Sequence, residues 1–408
     1  MRFIPILGAC LATALLVAAC GGQGASDSAG SQTAQPQTST QPPPPPPVSP
    51  DKLNPGRYST KPLAPMGKAG SPQRGALIEA QRMADYTTGP WEVDPSLINS
   101  YLDTYYVFTS PAQLAGLGPE SIAAAAGKRG MINGFGSARE NPDSAALFNA
   151  VLHFPDDASA TAAATEMNAA AAAQPVSGVQ PKPIAIPGHS NTAASTYAYT
   201  PSDSDKPRAY VRSYTAHGPF VLTQFAQSAG GEDAAAAMVA KAIDLQVPLI
   251  DGFTPAKLDA LPDVEVDPTG LLAKTLPLPA EGASVAKGAV YAPRGASHFQ
   301  SNPVASTTLF KDTGVKHVAM AGANVYESKD NATARFITNA FNDEVTSMEG
   351  STAAAPVPEI PDSHCMAFPK AFYCVAPAAN FAIEMRGANF DEVQQQVAAQ
   401  YIILTTAP

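Results

Sequence analysis

The chain has 408 residues, of which 45% are apolar and only 15% charged, and its formal net charge is −10. That balance disfavours nucleic acid and anionic lipid surfaces as direct partners, and no basic cluster interleaved with aromatic residues argues otherwise. Beyond its opening segments the chain is long enough for two ordinary domains.

Residues 1–19 begin with Arg2 and continue as an apolar run from Ile4 to Ala19. The run is short for a membrane-spanning helix and ends abruptly, as a cleavable signal peptide does. It closes on Val17-Ala18-Ala19-Cys20 followed by Gly21-Gly22, which resembles a bacterial lipobox. Small residues before the cut suit a narrow peptidase site, and the Cys20 thiol is the expected lipidation point. Two or three acyl chains, at roughly 0.8 kcal/mol per buried methylene, anchor a protein without a transmembrane helix. The expected location is therefore extracytoplasmic, on the outer face of the cell membrane, with the lipid anchor as the membrane contact. Residues 20–52 follow as a linker of Ser, Thr, Gln, Gly and Pro that offers nothing to bury. Pro42 to Pro47 favour a stiff polyproline II spacer.

An N-terminal domain is expected over 53–255. Arg74 to Tyr86 reads as a helix, ahead of a Gly89-Pro90-Trp91 turn. Ala123–Ala126 with Gly127, Gly130, Gly134 and Gly136 suggests a short helix opening into a flexible loop. Ala146–Phe154 alternates as a strand, and Pro155-Asp156-Asp157 opens a helix to about Ala173. Strands at Thr196–Thr200, Ala209–Ala216 and Phe220–Gln227 lead to a helix over Asp233–Leu245. A Pro/Gly-rich connector, 256–314, carries short strands near Val264–Val266 and Val290–Tyr291 and shows no long helix.

The C-terminal domain, 315–408, repeats the order strand, helix, strand, strand, helix. Lys316–Ser328 is its leading strand, and Phe336, Ile337, Ala340, Phe341 and Val345 mark the buried face of a helix after Asp330. Cys365 and Cys374 flank a Pro-Lys turn between short apolar strands, which predicts a structural disulfide contributing about 2–3 kcal/mol. Phe381–Arg386 is the next strand, and Asn389 with Glu392 caps the final helix. The fold class is α+β: two related βαββα-type domains, each an open, mostly antiparallel sheet with helices packed on one face.

Three stretches, Gly70–Pro95, Tyr291–Gln300 and Ala398–Leu404, resemble an uncharacterised family of exported actinobacterial lipoproteins of mycobacterial or nocardial type. The resemblance implies two related α+β domains, a lipid anchor and a lipid-rich cell envelope. It transfers no functional residues. The βαββα layout also resembles, by fold analogy alone, exported sensor-type domains of actinobacterial envelope proteins.

Catalytic motifs are lacking: there is no Gly-x-Ser-x-Gly, His-Glu-x-x-His or P-loop. Ser284 and Lys287 match Ser-x-x-Lys without a Lys-Thr-Gly partner, a coincidence expected in a chain of this length. Gly134-Phe135-Gly136 lacks a dinucleotide-loop context and reads as a hinge. Asp263, Glu265 and Asp267 alternate on an acidic edge without the calcium-loop pattern. The six histidines show no metal-ligand spacing. No cofactor and no metal is expected. Arg294, His298 and Gln300 crowd the connector, where interdomain pockets form, and are the candidate ligand-binding residues. Tyr101, Tyr105, Tyr106 and Phe108 either line a groove or belong to ordinary core, the commoner fate.

Three functional expectations follow. The first is a non-enzymatic binding protein for an envelope lipid or glycolipid near the domain interface. The second is an adaptor for other envelope proteins. The third is a hydrolase in which His298 or His153 meets a serine and a carboxylate.

Overall fold

The computed structural model describes residues 48–201, 206–279 and 284–406. Cys20, the linker through Pro47 and the signal segment lie outside the described residues. The N-terminal half contains α1 (Pro72–Arg82), α2 (Pro90–Val93), β1 (Asn99–Phe108), α3 (Glu120–Lys128), β2 (Asn133–Asn141), β3 (Ala145–His153), α4 (Asp157–Ala172), β4 (Lys182–Pro183), β5 (Ala193–Tyr199), β6 (Arg208–His217), β7 (Phe220–Ser228) and α5 (Glu232–Ile250). The C-terminal half contains β8 (Ala289–Tyr291), α6 (Pro293–Ser297), α7 (Pro303–Thr313), β9 (His317–Met320), β10 (Asn324–Glu327), α8 (Asn331–Thr346), β11 (Thr352–Ala354), β12 (His364–Phe368), β13 (Ala371–Ala378), β14 (Phe381–Gly387) and α9 (Phe390–Thr406).

Each half builds one seven-stranded sheet, ordered β1-β2-β3-β7-β6-β5-β4 and β11-β12-β13-β14-β10-β9-β8. Every strand pair is antiparallel. Read from the β8 edge, the second order is the first one over again, strand for strand. The duplication therefore covers the entire sheet and reaches beyond the βαββα unit legible in the sequence. Its register is equally regular. Asp156 and Asp330 cap α4 and α8 by accepting from the backbone N–H of Ser159 and Thr333. His153 pairs with Phe220 where Glu327 pairs with Phe381.

The α+β class and the antiparallel sheets agree with the sequence reading; the placement of helices does not. Helices cover both faces of each sheet. In the first, Leu147, Val151, Val211 and Leu222 pack beneath α1 and α5, while Phe148, Ala150, Leu152 and Tyr214 pack beneath α3 and α4. In the second, Tyr326, Tyr373 and Val375 face α7 and α8, and Ile383, Met385 and Cys374 face α9. The reason is a buried polar ladder. On the α5 face Ser213 donates to Gln224, Gln224 to Asn149, and Asn149 to Gln246 of α5, at 2.8, 2.9 and 3.0 Å. Satisfied amides bury at little cost, so this face is core without reading as apolar.

Four other expectations change. Residues 133–141 are strand β2, not a loop or hinge. A Cβ at Gly134 would lie 2.6 Å from the Val151 carbonyl oxygen, and one at Gly136 would lie 2.8 Å from the Phe148 ring. These glycines admit close strand packing and supply no flexibility. The expected strand over 316–328 is the hairpin β9–β10, turning at Gly322, whose backbone abuts the Pro277 carbonyl. Phe336, read as buried, is 60% exposed, and Ala334, Ile337, Thr338, Phe341 and Val345 form the covered face of α8. The connector also supplies α7, an eleven-residue helix absent from the reading.

Residues 48–58 run beside the C-terminal helix and 63–69 along the connector at 264–273, rather than on the first sheet. The Val48 amide donates to the Tyr401 hydroxyl at 3.1 Å, and Arg57 pairs with Glu392 at 2.9 Å. Leu53, Met66 and Tyr58 pack into the core formed by Val393, Val397 and Tyr401. The Cys365–Cys374 disulfide links directly paired residues of β12 and β13 beneath the same helix. Leu53→Ala should therefore lower unfolding free energy by about 2–4 kcal/mol, checked by urea denaturation, although Leu53 lies far in sequence from the residues it contacts.

Candidate functional site

A cavity of about 540 Å3 opens where β1 and β2 of the first sheet approach β10, β13 and β14 of the second, with residues 299–301 between them. Behind its Gln300, Asn324 and Glu384 lining lies a polar cluster centred on the buried Tyr326. The Tyr326 hydroxyl donates to Glu384 Oε2 at 2.6 Å, Asn324 Nδ2 donates to the same oxygen at 2.9 Å, and Gln300 Nε2 donates to the Tyr326 hydroxyl at 3.2 Å. Burial and the nearby Glu384 carboxylate push the Tyr326 and Tyr373 phenols well above their ordinary range, so both stay protonated donors. The buried Asn324 Oδ1 has no hydrogen-bond partner. Tyr105, Phe299, Phe368 and Tyr373 supply aromatic walls, and Lys287 and Arg386 supply positive charge.

The duplication supplies an internal comparison. Matching the two halves through their strand registers and helix caps sets Asn324, Tyr326 and Glu384 against Ala150, Leu152 and Thr223. Tyr373 and Arg386 correspond likewise to Arg212 and Phe225. In the first half Ala150 and Leu152 are buried core, and Arg212 is stacked 4.5 Å from the Phe225 ring. The fold thus does not require a carboxylate, phenol and amide at these positions. Only the second copy carries them.

On the opposite wall, Arg139 of β2 is only 2% exposed and, among the described residues, meets no carboxylate. Its guanidinium donates to the carbonyls of Ile98, His298 and Gln300 at 3.0, 3.1 and 2.6 Å. Burial lowers its pKa to about 10, which still leaves the group charged at neutral pH. The cavity lip is a β-bulge: β1–β2 pairing slips between Ser100 and Tyr105, and Leu102 and Thr104 adopt φ of 50° and 68°. Non-glycine residues in this region cost of order 1–3 kcal/mol and concentrate at functional sites. Ser100, Asp103, Thr104 and Tyr105 of that bulge line the cavity.

The three connector residues singled out in the sequence occupy different environments. Gln300 lines the cavity. Arg294 instead pairs with Glu92, which caps α2 at the Gly89 amide. His298 is fully buried between the Trp91 and Phe135 rings, its Nε2 3.1 Å from the Thr87 carbonyl oxygen. His153 is buried beside Phe220. Tyr105 lines the cavity, Phe108 is core, and Tyr106 stacks on Phe108. Asp263 pairs with Lys68, and Asp267 accepts from the Ala273 amide. The Ser284 hydroxyl accepts from the Ala286 amide, whereas Lys287 reaches the cavity. Glu384, Asn324, Tyr326 and Arg386 escaped the sequence reading. Their signal was parity: Glu384 and Arg386 share one face of β14, whose other residues are Phe381, Ala382, Ile383, Met385 and Gly387.

Residues 66–266 match the N-terminal model, and residues 271–407 the C-terminal model, of a family described as domain of unknown function DUF7373. The chain belongs to the DUF7373 family. The two-domain, uncharacterised family expected from Gly70–Pro95 and the two later stretches is thus DUF7373, with one model on each copy of the duplicated sheet. The extracellular domain of PknH from Mycobacterium tuberculosis is similar at 13% identity, over 39% of this chain and 91% of its own, with a TM-score of 0.27. No curated protein matches the DUF7373 chain. Among its described residues no helix is long and apolar enough to cross a membrane.

Two buried histidines, His298 and His153, and the half-buried Asp85 give this protein a pH signature. Desolvation lowers His298 to about 3 and His153 to about 4, against an ordinary 6.5. Desolvation raises Asp85, which accepts from the Gly295 amide at 2.9 Å, from 3.8 to about 6. Below pH 6.5 the unfolded chain binds protons on both histidines that the folded chain refuses, so stability falls with acid. Asp85 acts oppositely: the folded chain binds its proton first, and the resulting stabilisation is lost as pH rises through about 6. Two histidines outweigh one carboxylate. Unfolding free energy from urea titrations should therefore fall between pH 6 and 4, with a slope of about 1.4 kcal/mol per pH unit per net proton. His153→Gln should flatten that slope and Asp85→Asn should steepen it.

Proposed function

We propose that this chain is an exported, lipid-anchored binding protein that holds the hydroxyl-rich head group of an envelope glycolipid between its two domains, without turning it over. The observation carrying this reading is the polar cluster of Asn324, Tyr326 and Glu384, set at positions that the other copy fills with Ala150, Leu152 and Thr223. The Glu384 carboxylate, the Asn324 and Gln300 amides and the Tyr373 phenol, all lining the cavity beside aromatic walls, suit sugar hydroxyls and ring faces. An acyl chain would leave such groups unpaired, which favours the glycan part of the ligand over its lipid part. The cavity volume, about 540 Å3, falls within the roughly 300–1,000 Å3 of ordinary ligand pockets. The extracytoplasmic address rests on the lipobox-like run ending at Cys20 and is supported by the Cys365–Cys374 disulfide, since such bonds persist in oxidising compartments.

Glu384→Gln retains an oxygen acceptor for Tyr326 and removes the charge. Native mass spectrometry of the mature chain, incubated with envelope glycolipid extract, should show a glycan-bearing adduct. Its occupancy should drop about tenfold in the variant, equivalent to losing one charged hydrogen bond of roughly 1.5–3 kcal/mol. No adduct, or an undiminished one in a folded variant, would sink the cleft reading. Cys20→Ala should move the protein from the membrane fraction to the soluble fraction or arrest its processing, followed by immunoblot. Unchanged fractionation with normal processing would remove the anchor.

A further inference from the structure

The cleft's positive charge is not explained by hydroxyl binding. Lys287 enters from the loop ahead of β8 and Arg386 from β14, and both line the same cavity. Acidic residues outnumber basic ones 35 to 25 in this chain, so carboxylates are in good supply. Some other cations find them, as Arg57 does Glu392, Lys182 Glu232 and Arg335 Asp362; what sets Lys287 and Arg386 apart is that they line one cavity. Among the described residues neither Lys287 nor Arg386 has an ion-pair partner, although both face a shared recess. Of the carboxylates lining the cavity, Glu384 is engaged by Tyr326 and Asn324, and Asp103 sits on the exposed bulge. In the other copy, the position of Arg386 is Phe225, closed over by Arg212. That arrangement seals the surface, whereas here a cation is turned outward.

We propose that the ligand's head group is anionic, with its negative group held by Lys287 and Arg386 while its hydroxyls meet Glu384 and Asn324. This rests on the cleft reading and adds the ligand's charge to it. Two like charges facing one recess repel each other, and an anion between them replaces repulsion with attraction. A guanidinium offers a planar fork and an ammonium a point charge, a combination that serves a phosphate ester or a sugar carboxylate. The formal charge of −10 does not oppose this, because exposed charges more than about 10 Å away are screened at 0.1 M salt. A local basic recess in an acidic protein instead selects an anion that also fits the hydroxyl floor.

The test separates a total polar lipid extract by anion exchange and offers the retained and flow-through fractions to the mature full-length chain. The readout is native mass spectrometry at two salt concentrations. The expected adduct comes from the retained fraction and weakens with salt. It should fall at least tenfold in the double variant Lys287→Met/Arg386→Met, whose melting temperature should stay near that of the parent. Fragmentation of the adduct then distinguishes a phosphate ester from a carboxylate. An adduct from the flow-through alone, lost in Glu384→Gln, would overturn the anionic assignment and leave the cleft reading standing. A retained-fraction adduct unaffected by the double variant would overturn it as well. No adduct from either fraction would overturn both.

Discussion

Arg139 carries a full charge into the interior with no carboxylate among the described residues to meet it, and the joining of the first sheet to the connector follows from how that charge is satisfied. Its compensation is a set of carbonyl oxygens from Ile98 and from His298 and Gln300, just past the end of α6. Carbonyls at a helix terminus carry partial negative charge, so a short helix can neutralise part of a cation without an ion pair. An unpartnered charge at this depth would cost several kcal/mol. The interaction therefore ties the first sheet to the connector, and Phe299, Gln300 and Ser301 are fixed in place as the cleft wall. Asp85 grips the other end of the same helix at Gly295. A five-residue helix is thus held at one end by the buried Arg139 and at the other by Asp85.

The two halves share one strand order and one register, yet they use their equivalent faces differently. In the first half, the face under α4 is closed by Phe148, Leu152 and the Arg212–Phe225 stack. In the second, the face under α8 is open at one end, where Glu384 and Tyr326 replace smaller or apolar residues. Duplication followed by this divergence lets one copy serve mainly as scaffold while the other carries the polar floor. The first copy also contributes Arg139, Tyr105 and the strained bulge, so the cleft needs both.

Much of the architecture was legible because its signals were local. Asp156 and Asp330 announced two helix starts, Asn389 announced a third, and the Pro369-Lys370 turn between two cysteines announced the hairpin. What escaped had long-range causes. Strand β2 is rich in glycine because Val151 and Phe148 press against it, and nothing within its own residues reveals that pressure. The α5 face of the first sheet is buried through Asn149, Gln224 and Ser213, whose partners are remote in sequence. The candidate site failed for the same reason. Connector residues looked promising by position, but His298 and Arg294 fill structural roles, whereas Glu384 and Asn324 become neighbours only when β10 pairs with β14.

The segment 48–58 lies against α9. During synthesis residues 48–58 leave the ribosome well before their partners on α9, 353 positions later in the case of Val48 and Tyr401. The N-terminal sheet can assemble meanwhile from its own hairpins, but Leu53 and Tyr58 stay exposed until Val393 to Leu404 have appeared. Closing so long a loop is slow and comes late, since its entropy is lost before any contact compensates. Maturation of this protein is therefore gated by its own final helix, and a chain stopped short of it would present an unmet apolar strip at its leading end.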